Sequence, residues 1–235
     1  SNILNILIIL GVTALITNVA IQKTTFKYEI PYMLLITVVL LVMGMTGNEI
    51  TFIEGVILWI LFIAYLLYLY VLAKKGNDSG DEQSVKLYPV WKCLFFIVLG
   101  GLCVVIGSQL VVNGATTIAR ACGMSERFIG LTIVAFGTSL PELVTSVSAA
   151  RKGNAGIAIG NIVGSNIFNI LFVIGTVALI CPVPFESRFV IDTVVAILCG
   201  VLLWGGTIRH KELRKPCGVV MLLCYAAYFV YLAVM

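Results

Sequence analysis

The segment Ser1–Ile16, SNILNILIILGVTALI, returns at Ser165–Ile180 as SNIFNILFVIGTVALI, identical at ten of sixteen positions. The repetition runs on at an offset of 163: Gly55, Ala64, Tyr65 and Tyr68 have counterparts in Gly218, Ala227, Tyr228 and Tyr231. Such self-similarity constrains a chain more than any local motif, because repeated units bury their apolar faces against one another.

The copies sit among apolar stretches close to the ~20 residues that a helix needs to cross a bilayer. Eight can be read, roughly 1–16 (cut short), 29–46, 54–73, 92–119, 127–150, 155–180, 188–207 and 216–235. Only 11% of the residues are charged, against about 25% in soluble domains. The short alternating segments of a β-barrel are absent from the pattern. The sequence therefore predicts an all-α integral membrane protein. Five stretches separate the start of one copy from the start of the next, and an odd number makes the copies cross in opposite directions. This is the inverted-repeat transporter fold, with its site near the bilayer midplane. The expected layout is the C-terminal part of a first repeat at 1–73, a linker at 74–91 and a complete second repeat at 92–235. The chain opens inside a helix, so about eight of ten transmembrane helices are expected, with no leader segment to remove.

Charges at the helix ends orient this layout. Lys23, Lys27, Lys74, Lys75, Lys86, Lys92, Arg151, Lys152, Arg209, Lys211, Arg214 and Lys215 sort to one side, and only Arg120, Arg127 and Arg188 to the other. The richer side is cytoplasmic by the positive-inside rule, which puts the linker inside and the C-terminus outside a plasma (inner) membrane. The linker, KKGNDSGDEQSVKLYPV at Lys74–Val90, reads as a plain tether. The net charge of +4 comes from helix ends, so no nucleic-acid partner is expected. The seven cysteines include no C-x-x-C pair and read as small packing residues. His210 stands alone in a basic turn and is not read as a ligand. A monomeric unit in the lipid bilayer, without a cofactor, is expected.

Chemistry concentrates in 128-FIGLTIVAFGTSLPELVTSVSAA-150. Glu142 is read as the one acidic residue deep within a span, where a charge costs at least ~2.5–3.5 kcal/mol and marks a functional candidate. Pro141 has no N–H and kinks the helix. Thr138 and Ser139 stand four and three residues before Glu142, which in a continuous helix puts their oxygens on its face. A proline kink with hydroxyls is also ordinary membrane-helix structure; the adjacent carboxylate favours a binding role. The next span, 156-GIAIGNIVGSNIFNI-170, carries Gly156, Gly160 and Gly164 at the spacing of close helix contact. Asn161, Ser165 and Asn169 follow as a polar stripe. Ser1 and Asn5 repeat Ser165 and Asn169, so two inverted helices would face each other with matched Ser/Asn pairs. Oxygen ligands without Cys or His suit hard cations such as Na⁺ and Ca²⁺.

GTSLPELVTSV followed by GNIVGSNIFNILFVIG resembles the second repeat motif of the calcium/cation antiporter family, the sodium/calcium exchangers and their prokaryotic relatives, and the resemblance spans the chain. It implies that Glu142 is the central carboxylate ligand, joined by Thr138, Ser139 and the Ala135 carbonyl at the kink. Ser165 and Asn169 would add ligands from the following helix, and Ser1 and Asn5 from the first repeat. It also implies that helix 92–119, with Gly100, Gly101 and Gly107, is half of a sliding gate. The pattern departs from potassium-dependent members, which carry Asp where Asn169 stands. Glu142 precedes Ser165 by 23 residues, so the first repeat's own carboxylate is expected 23 residues before Ser1. The 235 residues alone are accordingly expected not to transport.

The function expected is exchange of Na⁺ for Ca²⁺ by alternating access. A proton-coupled divalent-cation antiporter would use the same carboxylate, and a cation channel would need a continuous polar pore. An enzyme is not expected, since Glu142 has no partnering nucleophile, Asp or His in a neighbouring span.

Overall fold

The computed structural model describes residues 1–77, 89–124 and 129–234. Every apolar stretch read from the sequence is helical within those limits. The helices are α1 (Asn2–Ile16), α2 (Thr25–Gly47), α3 (Phe52–Asn77) and α4 (Val90–Ala121). A broken segment follows, α5 (Ala135–Thr138, entered through a wide π turn at Gly130–Val134) and α6 (Leu140–Arg151). The chain ends with α7 (Gly156–Ile180), α8 (Ser187–Ile208) and α9 (Lys215–Val234). Among the described residues six helices are long and apolar enough to cross a membrane, or seven if α5 and α6 form one bent span. Helix α1 is shorter than a full crossing. Most of the expected linker, Lys86 included, lies outside the described residues, as does Arg127. What is described of it is helical: α3 continues past Lys74 to Asn77, and α4 begins at Val90.

Four two-residue strands interrupt the all-α picture. β1 (Val19–Ala20) pairs antiparallel with β4 (Glu212–Leu213), and β2 (Glu49–Ile50) with β3 (Val183–Pro184). β1 and β3 are equivalent in the two repeats, as are β2 and β4, so each ribbon joins one repeat to the other. The β1–β4 ribbon gathers the loops carrying Lys23 and Lys211 at one end of the bundle. The β2–β3 ribbon gathers the loops after α2 and α7 at the other. These groupings match the sorting of the loop charges. Even the turns before β2 and β4 are duplicated: Asn48 (φ 56°) and Lys211 (φ 51°) both adopt the left-handed conformation, 163 residues apart.

Helices α1 and α7 form the centre. Ile6, Leu7, Ile9 and Leu10 in one, and Ile159, Ile162, Ile167 and Leu171 in the other, are buried. Both widen into a π turn at the same place in the repeat, Asn5–Leu10 and Asn169–Ile174. Such wide turns collect at functional sites. The outer helices turn Leu, Ile, Val and Phe outward, as on α4 from Leu94 to Leu110. That is the face a bilayer solvates.

Two close approaches lock the repeats together. A Cβ on Gly55 would lie 3.1 Å from the Gly175 carbonyl and 3.0 Å from the Ala178 Cβ. On Gly218 it would lie 2.8 Å from the Gly11 carbonyl and 2.9 Å from the Ala14 Cβ. The two contacts are counterparts: α3 packs on the end of α7, and α9 on the end of α1. The absence of a side chain lets helix backbones meet, as small residues do at membrane helix interfaces.

Candidate cation site

The helix break sits where T-S-x-P foretold it. Ser139 leaves helical geometry (φ −100°, ψ 2°), and α5 and α6 meet at a bend of 52°. Pro141 starts α6, where its missing N–H costs nothing, and Glu142 occupies the first turn. An acidic residue there complements the positive end of the helix dipole. Among the described residues no Lys or Arg forms an ion pair with Glu142. Its carboxylate Oε1 accepts a hydrogen bond from Ser165 Oγ at 2.9 Å.

The break also separates groups that a continuous helix would align. Glu142 lines an open groove with Thr145, Asn161 and Ser165. Thr138 lines a different one, of about 300 Å³, with Ser108, Gln109 and Asn113 of α4. The two grooves adjoin at Pro141, which lines both, and the chain turns at Ser139 between Thr138 and Glu142. Thr138 Oγ1 donates to the Ala135 carbonyl at 2.9 Å. The Ser139 side chain is 1% exposed, and its Oγ has no hydrogen-bond partner among the described residues. Gly137 is crowded by α4: a Cβ there would run into Val112 Cγ2. Gly100, Gly101 and Gly107 of α4 meet no atom within 4 Å. Nor do Gly160 and Gly164, which line the Glu142 groove instead of making the close helix contact expected of them.

The two repeats meet through asparagines. Asn2 Nδ2 donates to the Asn166 carbonyl at 3.4 Å, and Asn166 Nδ2 to the Asn2 carbonyl at 3.2 Å. Asn5 Nδ2 donates to Asn166 Oδ1 at 3.1 Å, and Asn169 Nδ2 to Asn2 Oδ1 at 2.9 Å. Each bond has its mirror 164 residues on, so the lattice has the two-fold character of the repeats. Asn169 also donates to Ser1 Oγ at 3.2 Å. Of the pairing expected between Ser1/Asn5 and Ser165/Asn169, the Ser1–Asn169 half forms and the Asn5–Ser165 half does not. Ser165 turns to Glu142, and Asn5 reaches Asn166 rather than Asn169. Asn5 is 0% exposed, yet its Oδ1 accepts nothing.

Asn2 and Asn166 were missed by the stripe argument because each lies one position off the stripe, on the face that meets the other repeat. Their signal was the repeated Ser-Asn-Ile itself. Glu142 is also not alone. Asp192 lies within α8, where Oδ1 accepts from Tyr228 OH at 2.7 Å. Glu29 lies within α2, 8% exposed. Asp192 lines a cavity of about 480 Å³ that also touches Ser1, Asn2, Asn169, Thr37, Thr193 and Tyr228. Among the described residues no three His, Cys, Asp or Glu cluster as metal ligands.

Comparison with known proteins agrees with this architecture. Residues 1–71 and 92–234 match the family described as sodium/calcium exchanger protein. CaxA of Alkalimonas amylolytica is 36% identical over 97% of this chain and 74% of that protein. The sodium/calcium exchanger MaX1 of Methanosarcina acetivorans is 39% identical over 60% of this chain and 41% of its own length. The structure of the sodium-calcium exchanger NCX_Mj soaked with zero Na⁺ and Ca²⁺ superposes with a TM-score of 0.80 at 32% identity, covering 98% of this chain and 73% of that one.

Proposed function

The chain belongs to the sodium/calcium exchanger protein family, and from that premise we propose that it exchanges Na⁺ for Ca²⁺ by alternating access at the site around Glu142. The observation that carries this reading is the Glu142–Ser165 hydrogen bond beside a helix break, next to an asparagine lattice that joins two inverted repeats. An intramembrane carboxylate without a cationic partner is costly, and a cation supplies the missing charge.

The available donors suit that cation. Ca²⁺ takes six to eight oxygens, from carboxylates, amide and backbone carbonyls and water. Glu142 supplies the negative charge, and its Oε2 is not engaged by Ser165. Ser165 Oγ, bonded to Oε1, can turn a lone pair to an ion. The unpartnered Ser139 Oγ and Asn5 Oδ1 are oxygens whose burial is unfavourable unless something accepts their lone pairs. The Ala135 carbonyl, Thr138, Asn169 and Ser1 are the remaining ligand candidates. Na⁺ draws on the same hard oxygens at lower charge, so the two ions compete. Switching only when loaded makes the exchange obligatory, and rocking of one repeat against the other carries the site from side to side.

The test is Ca²⁺ uptake by vesicles that hold the whole protein and are loaded with Na⁺. Uptake driven by the Na⁺ gradient and abolished by Glu142→Gln is expected. Unchanged uptake in that variant removes Glu142 from the site. Uptake that follows a pH gradient instead of Na⁺ identifies proton coupling.

A further inference from the structure

The repeats are equivalent in sequence but not in packing. The cavity beside Asp192 opens near the β2–β3 ribbon and reaches inward to Ser1, Asn2 and Asn169. At the equivalent place in the other repeat, Asn5, Ile6, Ile9, Val19 and Met33 are all buried, and the space is filled. Residues at one end of the pseudo-symmetric bundle thus line a cavity, while their equivalents at the other are buried.

A carboxylate stands at each of these two places. Asp192 and Glu29 are 163 residues apart, the offset that also relates Tyr228 to Tyr65. The burial pattern confirms this register: Ile36, Leu40 and Gly44 of α2 are buried, as are Cys199, Leu203 and Thr207 of α8 at the same offset. Asp192 takes a hydrogen bond from Tyr228 and remains half-exposed to the cavity. Glu29 is buried, bonded to the Thr25 hydroxyl, and within electrostatic reach of Tyr65. Ser1 and Asn169 line the inner part of the cavity, and Asn169 Nδ2 donates to Ser1 Oγ at 3.2 Å.

We infer that Asp192 and Glu29 are alternating entry sites for hard cations: each collects the ion on its own side when that side is open, and is sealed with its tyrosine when it is closed. This deepens the exchange reading and rests on it. A single carboxylate in a low-dielectric cleft concentrates cations at its mouth. Tyr228 holds one carboxylate oxygen and leaves the other to the ion. Inverted repeats exchange conformations when access alternates. The closed environment of Glu29 is then what Asp192 acquires in the opposite state, and the open one passes to Glu29.

The experiment measures the half-saturating Ca²⁺ concentration separately at each membrane face, using right-side-out and inverted vesicles holding the whole protein. Asp192→Asn should raise it about tenfold at the face of the β2–β3 ribbon. It should leave the other face and the maximal rate within about twofold, and Asp192→Glu should restore the wild-type value. Glu29→Gln should do the mirror image. Equal shifts at both faces, or none in Asp192→Asn, would overturn the inference while wild-type exchange keeps the family reading standing. If Glu29→Gln does not fold, the one-sided effect of Asp192→Asn decides the matter. A wild-type protein that exchanges no ions would overturn the exchange reading, and this one with it.

Discussion

The side-chain amide of Asn5 donates to the side-chain oxygen of Asn166 at 3.1 Å, where the central helices of two inverted repeats cross. Both residues are buried, at 0% and 1% exposure. Burial keeps bulk solvent from replacing the bond, so Asn166→Ala should strand the Asn5 amide and lower stability by about 1–3 kcal/mol. Thermal unfolding in detergent measures it. Asn5→Ala combined with Asn166→Ala should destabilise by less than the sum of the single changes, with a coupling on the order of 1 kcal/mol. Strict additivity would show that the bond does not form.

Ser165→Ala removes the donor to Glu142 and leaves the helix intact. Half-saturating Ca²⁺ should rise about tenfold, equivalent to ~1.4 kcal/mol, while the unfolding temperature stays near that of the wild type. A large fall in stability with unchanged Ca²⁺ affinity would make the bond structural only.

Gly137→Ala drives a methyl group into Val112 of α4. Overpacking of this kind costs typically ~1–3 kcal/mol, and it should also displace α4 from the helix break. Val112→Ala should rescue the double variant, because the offending atom is Val112 Cγ2. Unfolding temperature and Ca²⁺ uptake of the three variants together check the contact.

Gly55→Ala and Gly218→Ala probe equivalent contacts of unequal tightness. The nearest backbone oxygen lies 3.1 Å from the added carbon in the first case and 2.8 Å in the second. Backbone cannot yield as a side chain end can. Gly218→Ala should therefore be the more destabilising, which parallel melting curves would decide.

Much of the fold was legible because its causes are local or periodic. A bilayer demands long apolar helices, and the stretches at 29–46, 54–73 and 188–207 could be read residue by residue. Pro141 after Thr138-Ser139 announced the break. The i,i+4 spacing behind the face assignment of Thr138 holds only while a helix continues, and Ser139 interrupts it. Asp192 and Glu29 were passed over as residues near helix ends. What singles them out is tertiary: Asp192 lines a cavity and takes a hydrogen bond from Tyr228, and Glu29 is buried.

By itself the sequence determined the membrane class, the duplication and the position of the kink. Each follows from composition or spacing along one chain. Tertiary structure alone decided which asparagine meets which, that Ser165 donates to Glu142, and that the residues around Asp192 line a cavity while their equivalents around Glu29 are buried. Those outcomes depend on how two helices 164 residues apart rotate and cross. Two nearly identical repeats can adopt different packing, so identity between the copies cannot say which side is open.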